Sequence, residues 1–214
     1  IFFRYLLELR KTAFFLFLDR SSVMVIIAAI IFKFIMPDEA NVLTLATILF
    51  FAAYMLLLTQ MQGGIGKELE KHYIFLIPAS YAQKLFFATL GEHVKNLFDG
   101  FILFVLSGIL VKAKVETVIS CIIAYVLFGA VYTYGDILAR RIFGRIHSKN
   151  VMIFVKAIAN LLMVAPGIIG GVFVLTFTES EFLMLCFIGA WSFVLAVTLF
   201  VFSTGIFKNL ETVN

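Results

Sequence analysis

Charge is scarce in this chain. Only 14% of its 214 residues are Asp, Glu, Lys or Arg, while 63% are hydrophobic. A water-soluble domain, about half apolar and a quarter charged, is thereby excluded. Cysteine, histidine and proline are equally sparse, at two, three and three residues. Cys121 and Cys186 both fall inside apolar blocks, where a thiol behaves as a small hydrophobe. Neither a disulfide nor a metal site is inferred from them. His93 has no convergent histidine, because His72 and His147 sit in connections between apolar blocks. No linker, low-complexity run or soluble insert divides the sequence.

What the chain does have is long hydrophobic runs. A mean hydropathy of +1.08 reflects six candidate membrane spans, roughly Ser21 to Met36, Val42 to Gln62, Phe86 to Val111, Val115 to Leu138, Val151 to Phe177 and Phe182 to Phe207. A helix needs about 20 apolar residues to cross the hydrocarbon core. The first candidate is short and carries Lys33, and reaches that length only if the apolar run Ala13 to Leu18 extends it. The expected fold class is all-α and polytopic, a single six-helix transmembrane domain over residues 1–214.

Basic residues set the expected orientation, because Lys and Arg near span ends favour the cytoplasm. Arg4, Arg10, Lys11 and Arg20 precede the first span, Lys67, Lys71 and Lys84 follow the second, Arg140, Arg141, Arg145 and Lys149 follow the fourth, and Lys208 lies at the end. The alternate connections are short and mostly acidic: Pro37-Asp38-Glu39, Lys112-Ala113-Lys114-Val115-Glu116 and Glu179-Ser180-Glu181. Both termini are therefore expected in the cytoplasm. The net charge of +4 and pI near 9.1 follow from that bias and from attraction to anionic lipid headgroups. Nucleic acid is not needed as a partner.

Three segments stand out. Residues 1–18 gather Arg4, Glu8 and Lys11 on one face of an otherwise apolar helix, the pattern of a helix lying in the membrane interface. It reads either as an anchor or as the entry helix of a transporter, with Asp19-Arg20-Ser21-Ser22 as the turn and N-cap into the bilayer. Next comes the 63–84 connection. Gly63, Gly64 and Gly66 release the chain, and a short amphipathic stretch follows with Lys67, Glu68, Glu70, Lys71, His72, Tyr73 and Phe75, ended by Pro78. This is a charged knob with an apolar root, suited to docking a soluble partner or, more simply, to capping two spans. A phosphate loop is not present, since the Gly-x-x-x-x-Gly-Lys-Ser/Thr spacing is missing.

The third segment is the polar first half of the third span, with Glu92, His93, Lys95, Asn96 and Asp99. Spacings of three and four residues permit pairing of Glu92 with Lys95 or Asn96, and of Lys95 with Asp99. Ionisable groups at membrane depth cost about 2.5 kcal/mol or more unless paired or wetted. Asp136 and Lys156 can meet across the connection from Arg140 to Lys149, most simply as a structural pair. Pro166-Gly167 and Gly170-Gly171 mark a candidate kink and a close helix contact in the fifth span.

Six spans with both ends inside, an amphipathic first helix and a structured connection after the second span together resemble the membrane subunit of an ABC-2 type exporter. More narrowly, Glu70-Lys71-His72-Tyr73-Ile74-Phe75-Leu76-Ile77-Pro78-Ala79-Ser80, then Lys84-Leu85-Phe86 and Asp99-Gly100, look like the bacterial ABC exporter family. The resemblance implies coupling by Lys67 to Ile77 in a cleft of a separate ATPase, which would hold ATP and Mg while this chain binds no cofactor. It also implies a second permease domain, as a homodimer or as the other half of a longer polypeptide; a start at Ile1 suits the latter. The expected product is an ATP-driven exporter of an amphipathic peptide, drug or lipid in a bacterial cytoplasmic membrane. Rival readings are a substrate-capturing importer subunit, a membrane-embedded protease or lipid-modifying enzyme, and a structural or sensory subunit.

Overall fold

The computed structural model describes residues 20–35, 44–63, 80–143 and 149–211. These form six helices: α1 (Arg20–Ile35), α2 (Leu45–Gly63), α3 (Tyr81–Val111), α4 (Val115–Phe143), α5 (Lys149–Thr178) and α6 (Glu181–Glu211). Four of them, α3 to α6, are long and apolar enough to cross a membrane, whereas α1 and α2 are shorter apolar helices. With no water to satisfy backbone groups in hydrocarbon, a helix is the local solution for such sequences. The interfacial helix expected over residues 1–18 and most of the 63–84 connection lie outside the described residues.

Several boundaries differ from the sequence expectation. Arg20, Ser21 and Ser22 are already helical rather than a turn, which turns Ser22 into the bundle. The third span starts at Tyr81, five residues before Phe86. Ser80 fixes that start through a capping box, its Oγ accepting from the Gln83 amide at 3.4 Å and its own amide donating to Gln83 Oε1 at 3.2 Å. The Ser-x-x-Gln pattern satisfies two orphan donors at once. α5 runs through Pro166 without interruption.

α4 is the central helix, touching α2, α3, α5 and α6, most extensively α6. Its buried face includes Cys121, Ala124, Tyr125, Phe128 and Val131, and the facing residues Leu85, Leu103, Phe104 and Leu185 are equally enclosed. The outward faces are apolar instead of polar: Phe34, Ile109, Phe154, Leu162, Phe173 and Phe177 are all exposed, the surface expected of a chain solvated by lipid. α5 and α6 approach along glycines, since a Cβ on Gly171 would stand 2.6 Å from Ile188 Cγ1, while Gly167 and Gly170 lie against Trp191 and Phe187. Small residues permit this approach, and van der Waals packing rather than hydrophobic exclusion drives it in lipid.

Candidate functional site in the membrane core

A belt of polar side chains runs through the middle of the bundle on both sides of α4. Asp99 lies within it, 2% exposed. Twelve residues separate it from Val111 at the end of α3, about 18 Å at roughly 1.5 Å per residue, near the middle of a ~30 Å hydrocarbon core. Asp99 Oδ2 accepts from Ser22 Oγ of α1 at 2.5 Å and from Tyr125 OH of α4 at 2.7 Å. The carboxylate thus ties three helices together. Tyr125 is held for this by Phe104, edge-on at 5.7 Å, and by Gly100, where a Cβ would stand 2.7 Å from its ring.

Toward the other end of α3, His93 Nε2 and Tyr134 OH share a hydrogen bond at 2.9 Å, and Thr89 Oγ1 lies 3.3 Å from the same hydroxyl. Tyr134 is braced by Phe200 of α6, edge-on at 5.3 Å, and its carbonyl accepts from Ser203 Oγ at 3.5 Å. From α2, Gln60 Nε2 donates to Thr133 Oγ1 at 3.4 Å. Asp136 and Lys156 form an ion pair between α4 and α5 with little exposure on either side. Joining the two charges offsets part of the cost of taking them out of water.

Two glycine notches complete the belt. Gly129 leaves the space filled by the Asn96 amide of α3, and Gly135 the space filled by Asn160 of α5. Among the described residues, Asn96 Nδ2, Asn160 Oδ1, His93 Nδ1 and Gln60 Oε1 are buried without a hydrogen-bond partner. The core therefore keeps unused hydrogen-bonding capacity. Chemically, the arrangement can hold helices in register and accept a water or a polar group.

Of the residues singled out in the sequence, His93, Asn96, Asp99, Asp136 and Lys156 belong to this belt, and Glu92 and Lys95 are half-buried on the same stretch of α3. Lys67, Glu68, Glu70, Lys71, His72, Tyr73 and Phe75 lie outside the described residues. Sequence reasoning missed Ser22, Gln60, Tyr125, Tyr134 and Asn160. The run Tyr132-Thr133-Tyr134-Gly135-Asp136 was a visible signal, being unusually polar for the inside of a span. Lys33, the charge that interrupts the first span, is accounted for because Nζ donates to the Leu110 carbonyl at the end of α3.

A polytopic helical bundle with charges paired inside it fits a transport protein, and comparison with known families decides which. The family model described as Putative ABC exporter matches residues 1–211. The chain belongs to that family. It is therefore a multi-pass membrane component of ABC-type transport. No curated protein matches the chain, and no solved structure does.

Proposed function

We propose that the protein is the permease of an ATP-driven exporter, moving an amphipathic peptide, drug or lipid out of the cytoplasm of a bacterium. The observation that carries this reading is the exporter family match over residues 1–211. In it, residues 1–214 form one six-span domain, with α1 and α2 as the two spans that the shorter helices contribute. Residues 1–18 are its interfacial entry helix, and both termini are cytoplasmic, on the side where Arg and Lys concentrate.

ATP and Mg are bound by separate cytoplasmic ATPase subunits. Closure of these subunits pushes on the Lys67 to Ile77 segment, and two permease domains rock between inward-facing and outward-facing states as rigid bodies. The pair is either a homodimer or two halves of one polypeptide. Lys67, Glu68, Glu70 and Lys71 provide the charges at the contact, with Tyr73 and Phe75 as its apolar root and His72 between them.

The test is co-purification in mild detergent. An ATPase recovered in stoichiometric amount with the native chain, and lost when the charges at Lys67, Glu68, Glu70 and Lys71 are reversed, is the expected result. A lone oligomer without a nucleotide-binding partner overturns the reading.

A further inference from the structure

The tight turns at the end of the bundle away from the 63–84 connection frame a cleft of about 520 Å³. It is lined by Thr44 and Leu45 at the start of α2, by Lys112 and Lys114 between α3 and α4, and by Glu179 and Glu181 between α5 and α6. That volume is in the range of small-molecule sites, roughly 300–1,000 Å³. Glu181 is committed to the scaffold, since its Oε1 accepts from the Ala46 amide at 2.8 Å at the start of α2. Lys112, Lys114 and Glu179 are different. Among the described residues, their side chains take part in no hydrogen bond or ion pair.

The backbone at two of these positions points the same way. Lys112 has φ 55° and Glu179 φ 51°, the left-handed region. Both close helix ends: the Ala113 amide donates to the Gly108 carbonyl at 3.0 Å, and the Glu179 amide to the Leu175 carbonyl at 2.8 Å. Glycine is the residue that closes such turns without steric cost. This chain instead carries a cation at one turn and an anion at the other, and both side chains line the same cleft.

We propose that this cleft binds the zwitterionic headgroup of a phospholipid, with its phosphate against Lys112 and Lys114 and its ammonium against Glu179. The turns cap membrane-length helices, so the cleft lies at the depth where the headgroup layer begins. Basic groups at that depth are suited to lipid phosphate. Apolar side chains continue from the cleft toward lipid: Phe182 lines it, and Phe177 and Val115, which flank the two turns, are 85% and 72% exposed. A soluble zwitterion would make no use of that apolar border. The inference goes beyond the transport reading and does not require it, because lipid retention is measured without any ATPase.

The experiment is native mass spectrometry of the intact protein released from nanodiscs holding phosphatidylethanolamine and phosphatidylglycerol with identical acyl chains. Phosphatidylethanolamine should be retained in preference by roughly tenfold, about 1.4 kcal/mol. Glu179→Gly should erase that preference without weakening phosphatidylglycerol, and Lys112→Gly with Lys114→Gln should weaken both lipids. The glycine variants relieve the left-handed backbone, so loss of binding in them is not loss of fold. Equal retention of the two lipids by the native chain overturns the proposal, as does a preference that survives Glu179→Gly. Displacement of the lipid by an equal concentration of free phosphoethanolamine also overturns it, by assigning the cleft to a soluble zwitterion.

Discussion

Ser22 of α1 donates a 2.5 Å hydrogen bond to the buried carboxylate of Asp99 in α3, and Tyr125 of α4 donates to the same oxygen. α1 is a shorter apolar helix than the four candidate spans, and polar contacts of this kind help to decide where a short helix rests. Removing the acceptor has to be worse than removing either donor.

Asp99→Ala should therefore destabilise the protein more than Ser22→Ala or Tyr125→Phe, each of which is expected to cost about 0.6 kcal/mol and at most about 1.7, the average and the maximum for interhelical hydrogen bonds in a membrane protein. Asp99→Asn keeps an acceptor and should fall between. Thermal unfolding of the detergent-solubilised protein measures all four, and a Ser22→Ala/Asp99→Ala cycle that is strictly additive would show that the two side chains do not interact.

The Asp136–Lys156 pair makes an opposite kind of prediction. Breaking it from one side strips a buried charge of its ion-pair partner, so Lys156→Met or Asp136→Leu should each cost about 3–5 kcal/mol. The double variant should recover most of that loss, because an apolar pair of similar volume removes both desolvation penalties. Denaturant titration in mixed micelles distinguishes the two cases; a double variant as unstable as either single one would show that packing, not charge, is at stake.

Glycine contacts between α5 and α6 can be probed against a control in the same helix pair. Gly171→Ala sets a methyl group 2.6 Å from Ile188, itself 1% exposed and without room to retreat, and should cost about 1–3 kcal/mol. Gly189→Ala meets nothing within 4 Å and should be neutral or stabilising by up to ~1 kcal/mol through helix propensity. Melting temperatures of the two variants, compared side by side, check the expected ordering.

At the start of α3, Ser80→Ala removes the cap acceptor and should cost about 1 kcal/mol. Gln83→Ala removes the reciprocal half of the box and should cost less. Amide hydrogen exchange over the first turn of α3 reports this directly, since fraying there need not change the global melting point.

The long helices were legible because twenty-odd apolar residues between short charged connections admit one conformation in lipid. Their ends were less so: Tyr81 to Leu85 precede the hydrophobic block at Phe86, and it is Ser80 and Gln83 that set the true start. In the core, the Asp136–Lys156 pair was readable because only one short connection separates its helices. Ser22 and Tyr125 as partners of Asp99 were not, since they stand 77 and 26 positions away and no local spacing links them. Lys112 and Glu179 were hidden for another reason, as turn chemistry favours glycine where the chain has a charge.

Among the described residues, two polar contacts bind α1 to α3, Ser22 with Asp99 and Lys33 with Leu110, and they span the same sequence separation of 77 residues. Equal separations mean that both are lost together if α1 slides along its axis. A one-turn slide toward the start of α1 brings Ile26 alongside Asp99, and that side chain cannot donate to a carboxylate. α1 is therefore held like a bolt in a detent: piston travel breaks both contacts at once, whereas a swing about one end breaks them one at a time.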